Sequence, residues 1–208
     1  GSIPSWRAMS NNSVVCTDID ELHEFFWDGY EGRGEPYGLI NLELSKRIGR
    51  LGDARYPDPD ILGYNPCAEQ GLADKETCCL AEVFLPNITS KAELLDVVKL
   101  LYRVCKHSLA MQCHHPETQK VVNKNMRMGI GITGYLQATK QQIGWLSDVY
   151  ESLRRYDEEY SDMCGFPHSI KLTTCKPSGT LSLLPGVTAG AHPAYAQYMI
   201  RRISIASN

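Results

Sequence analysis

The residues best placed to do chemistry lie in one short stretch, Asn65-Pro-Cys-Ala-Glu69. An amide, a thiol and a carboxyl fall within five residues, and Pro66 stiffens the segment by fixing its own φ. If the segment is extended or tightly turned, positions 65, 67 and 69 point the same way. Asn65, Cys67 and Glu69 are then expected to face one substrate together. A carboxylate beside a thiol suits nucleophilic attack badly, because it raises the thiol pKa and suppresses the thiolate. Homolytic chemistry has no such difficulty, since it uses the S–H hydrogen. The plainer alternative is a surface loop with a chance Cys and Glu.

A second stretch, Lys176-Pro-Ser-Gly-Thr180, follows a β-rich segment. Backbone N–H groups of a glycine-containing turn make a concave anion site. The Ser178 and Thr180 hydroxyls can add donors, and a helix starting directly afterwards would add its dipole. The alternative is an ordinary turn with a Ser/Thr motif.

Composition narrows the setting. The chain has 208 residues and a formal net charge of −3. Its length suits one domain or a large piece of one. The charge gives no footing for nucleic acid, which demands clustered Lys and Arg. No apolar run approaches a membrane span, so neither nucleic acid nor membrane is an expected partner. The eight cysteines include no Cys-x-x-Cys pair. A zinc ribbon is therefore not expected, and the default is a reducing cytoplasm with most cysteines packed as small hydrophobes. Cys105, Cys113, His114, His115 and Glu117 are not read as a metal site. Gly129-Ile-Gly131 lacks the third glycine of a dinucleotide fingerprint.

Elements must carry these loops. Asp18-Ile-Asp-Glu21 reads as a helix start, Tyr30 to Tyr37 as a loop and Gly38 to Leu44 as a strand. A polar loop over Arg50 to Tyr64 delivers Asn65. Leu80 to Leu85 reads as a strand, and Ser90-Lys-Ala-Glu93 opens a long helix. Pro116 starts another helix. Met128 to Ile132 is a strand, Leu136 to Tyr160 is helical, Ser169 to Thr174 is β-rich, and Met199 to Ile205 is a last strand. This alternation predicts an α/β fold with parallel pairing. Gly1-Ser2 resembles a cloning scar, so the natural N-terminus is expected elsewhere. With no closing helix after the last strand, the fold is expected to be completed by other polypeptide.

Tyr64-Asn-Pro-Cys-Ala-Glu69 resembles the finger-loop motif of ribonucleotide reductases. So do Glu76-Thr-Cys-Cys-Leu-Ala-Glu-Val-Phe-Leu-Pro-Asn87 and Gly34-Glu-Pro-Tyr-Gly-Leu-Ile-Asn-Leu42. Lys176 to Gly186 and Gly190-Ala-His-Pro-Ala-Tyr195 follow in order. The similarity is nearest to the monomeric adenosylcobalamin-dependent (class II) ribonucleoside-triphosphate reductases.

The resemblance implies the following expectations. The fold is part of a ten-stranded α/β barrel, all 208 residues forming one fragment with a central finger loop. Cys67 becomes a thiyl radical and takes the ribose 3′ hydrogen, Glu69 acts as base on the 3′ hydroxyl, and Asn65 holds a ribose hydroxyl. Cys78, on the strand after the loop, is one of two thiols that close to a disulfide. Cys79 stands where the family often has Asn, so the adjacent pair competes for this role, and spacing favours Cys78. The other thiol lies upstream in the family, and Cys16 does not match it. Pro177, Ser178, Gly179 and Thr180 hold the substrate phosphates. Adenosylcobalamin is the implied cofactor, a thioredoxin-type protein the reductant, and complementary reductase chains the partners. Two alternatives stand: the large subunit of a reductase whose radical comes from a partner metal subunit, and a non-catalytic fragment that binds other chains.

Overall fold

The computed structural model describes residues 13–33, 38–48, 55, 57–194, 196, 198 and 200. Residues 34–37 of one family-like motif, most of the loop over 50–56 and most of the strand expected over 199–205 lie outside them.

Strand β1 (Ser13–Cys16) is followed by helix α1 (Glu24–Arg33), strand β2 (Gly38–Asn41) and helix α2 (Leu42–Ile48). A small hairpin comes next, β3 (Gly63–Tyr64) with β4 (Gly71–Leu72). Then come β5 (Leu80–Phe84), α3 (Lys91–Leu109), α4 (Pro116–Asn125), β6 (Gly129–Thr133), α5 (Lys140–Cys164) and β7 (Thr173–Thr174). The order β5-β6-β7 is parallel throughout, so two helical crossovers join its strands. β1 and β2 pair in parallel as a separate sheet. The α/β expectation holds. Among the described residues the strands form sheets of two, two and three, and these do not close a barrel.

Local chemistry sets the boundaries. Ser90 caps α3 by accepting from the Glu93 N–H at 3.1 Å. Glu93 reaches back to the Thr89 N–H at 2.7 Å, one residue earlier than the usual box. The helix expected over 136–160 begins four residues later, because Thr139 and Gln142 form a reciprocal capping box at Lys140. The strand expected over Gly38 to Leu44 ends at Asn41, whose side chain accepts from the Leu44 N–H at 2.8 Å and turns the chain into α2. Tyr30 to Arg33, expected as loop, belong to α1. Asp18 caps a three-residue 3₁₀ turn rather than a helix, since Glu21 bonds Thr17 instead. Of the β-rich stretch 169–174, only Thr173 and Thr174 pair.

The main core lies on one face of the three-stranded sheet. Val83 and Ile130 meet Leu94, Val98, Tyr102 and Cys105 of α3, and Val149 and Leu153 of α5. Each fully buried aliphatic side chain contributes about 1.5–3 kcal/mol. Where α3 and α5 cross, Lys106 is fully buried. Its ammonium donates to Asp157 Oδ1 at 3.0 Å, Pro167 O at 2.6 Å and Ser169 Oγ at 2.9 Å. Asp157 also accepts from the Tyr102 hydroxyl at 2.7 Å and the Ser169 N–H at 2.8 Å. Burial works against the Asp157 charge. The Tyr102 bond, the Lys106 charge and the Ser169 N–H nonetheless hold its carboxyl below the ordinary value.

Candidate active site

The other face of the same sheet carries the loops that the sequence singled out. Parallel partners share a face, so Glu82, Gly131 and Thr174 form one row, and Leu80 and Gly129 another. A Cβ on Gly129 would stand 2.3 Å from Gln70 Oε1, so any larger residue there would push the Gln70 side chain aside. A Cβ on Gly131 would meet the Lys176 side chain at 3.1 Å. The Gly-x-Gly stretch thus clears room for Gln70 and Lys176.

The loop between β3 and β4 is built around Asn65. Its Oδ1 accepts from the N–H groups of Glu69 (3.1 Å) and Gln70 (3.0 Å), and its carbonyl accepts from Ala68 N at 2.8 Å. Ala68 takes a left-handed φ of 58°, a conformation that costs an L-residue free energy and marks a constrained turn. The segment is therefore a closed turn, not an extended strand, and its side chains differ in burial. Asn65 turns inward, Cys67 stands exposed at the tip, and Glu69 is buried. The Thr174 hydroxyl donates to the Glu69 carbonyl, tying the loop to β7.

Cys78 approaches this turn from the opposite side. It lies two residues ahead of β5 rather than within the strand. The Asn65 amide donates to its Sγ at 3.5 Å. The residue keeps solvent access, yet its thiol pKa is pushed up to about 11, first by desolvation and then by the Glu69 carboxylate. The Asn65 bond and the Lys176 charge pull the other way. Near neutral pH Cys78 therefore keeps its hydrogen. Cys79 points oppositely, with its thiol towards the Cys105 carbonyl at 3.9 Å and its side chain against the core. Of the adjacent pair, Cys78 is the one beside the turn. All eight cysteines are thiols.

The 176–180 loop leaves β7 beside these groups. Ser178 is buried with φ 51°, while Gly179 and Thr180 are exposed. A single 3₁₀ turn, Leu181–Leu183, follows, too short to supply the helix dipole expected from sequence. Glu69 Oε2, Gln70 Oε1 and Ser178 Oγ are buried with no hydrogen-bond partner among the described residues. Glu82 Oε2, on the same face of the sheet, and Thr188 Oγ1 are the other two such atoms among the described residues. Native interiors leave few such atoms, so three in these two loops point to groups that act on something else.

Sequence reasoning gave no role to Gln70, Thr174 or Lys176. The Gly129–Gly131 spacing was the available signal, since paired glycines in a strand mark close approach. Among the described residues, His, Cys, Asp and Glu form no group of three that could hold a metal. No helix described is long and apolar enough to cross a membrane.

Comparison with known proteins gives a consistent result. The family described as "Ribonucleotide reductase, barrel domain" matches residues 56–165, more than half of the chain. A probable adenosylcobalamin-dependent ribonucleoside-triphosphate reductase of Dictyostelium discoideum is 37% identical over 94% of this chain and 26% of its own length. The adenosylcobalamin-dependent ribonucleoside-triphosphate reductase of Lactobacillus acidophilus is 33% identical, over 95% of this chain and 31% of its own. A crystal structure of a B-12 dependent (class II) ribonucleotide reductase superposes with a TM-score of 0.78 at 30% identity, covering 91% of this chain and 31% of that one. The chain thus spans between a quarter and a third of these relatives' length. The matched region contains the Asn65 turn, Cys78 and the strand glycines, and on these grounds the chain belongs to the ribonucleotide reductase barrel-domain family.

Proposed function

We propose that this chain forms the part of a ribonucleoside-triphosphate reductase that bears the radical cysteine, and that it lies within a ten-stranded barrel completed by other polypeptide. The observation that carries this reading is the convergence of Asn65, Glu69 and Cys78. The Asn65 amide reaches Cys78 Sγ at 3.5 Å, and Glu69 keeps a buried oxygen without a partner.

In this reading Cys67, as a thiyl radical, takes the 3′ hydrogen of the ribose and returns it to C3′ at the end of the turnover, which regenerates the radical. Its exposure at the turn tip leaves it open to a bound substrate. Glu69 accepts the 3′ hydroxyl proton while the 2′ hydroxyl leaves as water, which is general acid–base work. Asn65 fixes the turn with its oxygen and, when the sugar binds, orients a ribose hydroxyl with its amide. Cys78 and a second thiol outside the chain give up two hydrogens and close to a disulfide. The ribonucleotide and two thiols thereby become a deoxyribonucleotide, a disulfide and water, and a thioredoxin-type protein reopens the disulfide. The high Cys78 pKa supports this role, because the thiol must arrive with its hydrogen. Pro177 to Thr180 take the phosphates through backbone N–H groups and the Ser178 and Thr180 hydroxyls.

The relatives' names point to adenosylcobalamin as cofactor. When bound, it supplies the initiating radical by cobalt–carbon homolysis. An apolar cavity of about 490 Å³ is lined by Leu94, Val98, Val149 and Leu153 and, at its rim, by Thr173 to Lys176. Cys67 is not among its lining residues, and the cavity is not assigned to the corrin.

The test is deoxynucleotide formation by the native reductase assembly containing this chain, with and without adenosylcobalamin. Product is expected only with the cofactor. Glu69→Gln is expected to lower kcat by about 10²–10⁴ with KM nearly unchanged. Cofactor-independent product points to a radical from a metal subunit, and a fully active Glu69→Gln variant removes Glu69 from the mechanism.

A further inference from the structure

Arg127 is almost fully buried, two residues before Gly129 and therefore on the hairpin side of the sheet. Its Nη2 donates to Asp58 Oδ1 at 2.9 Å, and its Nη1 to the other Asp58 oxygen. Its Nε donates to Glu76 Oε2 at 2.9 Å. Asp58 lies three residues before Ile61, whose N–H it binds through its carbonyl at 3.4 Å. Glu76 lies just after β4 and accepts the Ala73 N–H at 2.7 Å. Asn125 closes the set, donating to Glu76 Oε1 at 2.9 Å. One guanidinium therefore bonds the segment entering the β3–β4 hairpin and the segment leaving it. Burial opposes its charge, but Asp58 and Glu76 together carry its pKa above the ordinary value.

We propose that Arg127 is a positioning residue: by gripping Asp58 and Glu76 at once it locks both roots of the hairpin and so sets where Asn65, Cys67 and Glu69 stand. The inference rests on the function proposed above for those three residues. A buried ion pair is poor evidence for stability, since apolar packing serves as well or better. What this one does that apolar packing does not is fix direction. Arginine's planar fork addresses two carboxylates at set angles, which a lysine ammonium does not do. The hairpin has two residues per strand, so its own ladder holds it weakly, and the clamp supplies what the ladder lacks.

The test compares Arg127→Lys and Glu76→Gln with the unmodified protein, each in the native assembly. Two readouts are taken together: steady-state kinetics and hydrogen exchange resolved along the chain. Arg127→Lys is expected to lower kcat by about 100-fold, the loss that a misplacement near 1 Å produces. KM for the nucleotide is expected to stay within about threefold, because the 176–180 loop is untouched. Amides of residues 61–72 exchange faster, while those of α3 and α5 do not. Glu76→Gln keeps an oxygen for the Ala73 N–H and shows the same pattern at smaller size; it decides the matter if Arg127→Lys does not fold. Unchanged exchange over 61–72, or exchange that rises everywhere with activity per folded molecule retained, overturns the proposal. If the unmodified protein makes no deoxynucleotide, the functional reading fails, and the exchange data still decide whether the clamp exists.

Discussion

The crossing of α3 and α5 on one face of the β5-β6-β7 sheet and the two loops on the other use buried polar groups in opposite ways. On the helix face, Lys106 and Asp157 are deeply buried, and each has several partners at hydrogen-bond distance. On the hairpin face, Glu69, Gln70 and Ser178 each keep a buried polar atom without a partner. A satisfied buried network rigidifies a core, whereas an unsatisfied one costs stability that something else must recover. The Lys106–Asp157 network on the helix face is finished, and so is the Arg127–Asp58–Glu76 network beside the hairpin, whereas the two loops of the hairpin face are not.

The difference can be broken hardest at the α3–α5 crossing. Asp157→Ala leaves the Lys106 ammonium buried without its carboxylate and is expected to destabilise by about 3–5 kcal/mol, read from urea unfolding. The same pair gives a pH signature. Because the Asp157 pKa is lowered by folding, its contribution is fully present above the unfolded aspartate value of about 3.9 and fades as pH falls through the lower folded value. Asp157→Asn should flatten the acid limb of a stability–pH curve; an unchanged limb removes Asp157 as its source.

In the two unfinished loops, substitutions should cost function before stability. Ser178→Ala deletes a hydroxyl that has no partner, so stability is expected to stay within about 1 kcal/mol. KM for the nucleotide is expected to rise several-fold if the loop holds phosphate. The smallest effect is electrostatic. Removing the Glu69 charge lowers the Cys78 pKa from about 11, so Glu69→Gln should speed alkylation of Cys78 at pH 9 about threefold, followed by peptide mass spectrometry. No change there separates the two groups.

Much of this was legible in the sequence where a single residue decides the local outcome. Ser90 and Pro116 open their helices, and Leu80 and Gly129 begin strands, as their surroundings dictate. The Asn65-Pro-Cys-Ala-Glu69 stretch stands out by residue type alone, whereas Cys78 was preferred to Cys79 on the family spacing, and it is Cys78 that lies beside the turn. The spacing of the turn was read less well. Alternation puts positions 65, 67 and 69 on one side of an extended segment, but the Asn65 side chain closes the segment into a turn that leaves Cys67 exposed and Glu69 buried. Asn41 ended a strand early for a similar reason, its side chain competing with the ladder. Arg127, Thr174 and Lys176 were out of reach because their partners lie up to 105 residues away, and only the fold brings them together.

The most direct test of the central claim is deoxynucleotide formation by the native assembly carrying Cys67→Ser. A serine O–H is a far stronger bond than a thiol S–H, so the account predicts binding of the nucleotide with no product above the cofactor-free background. Turnover by the serine variant at a substantial fraction of the unmodified rate would contradict it.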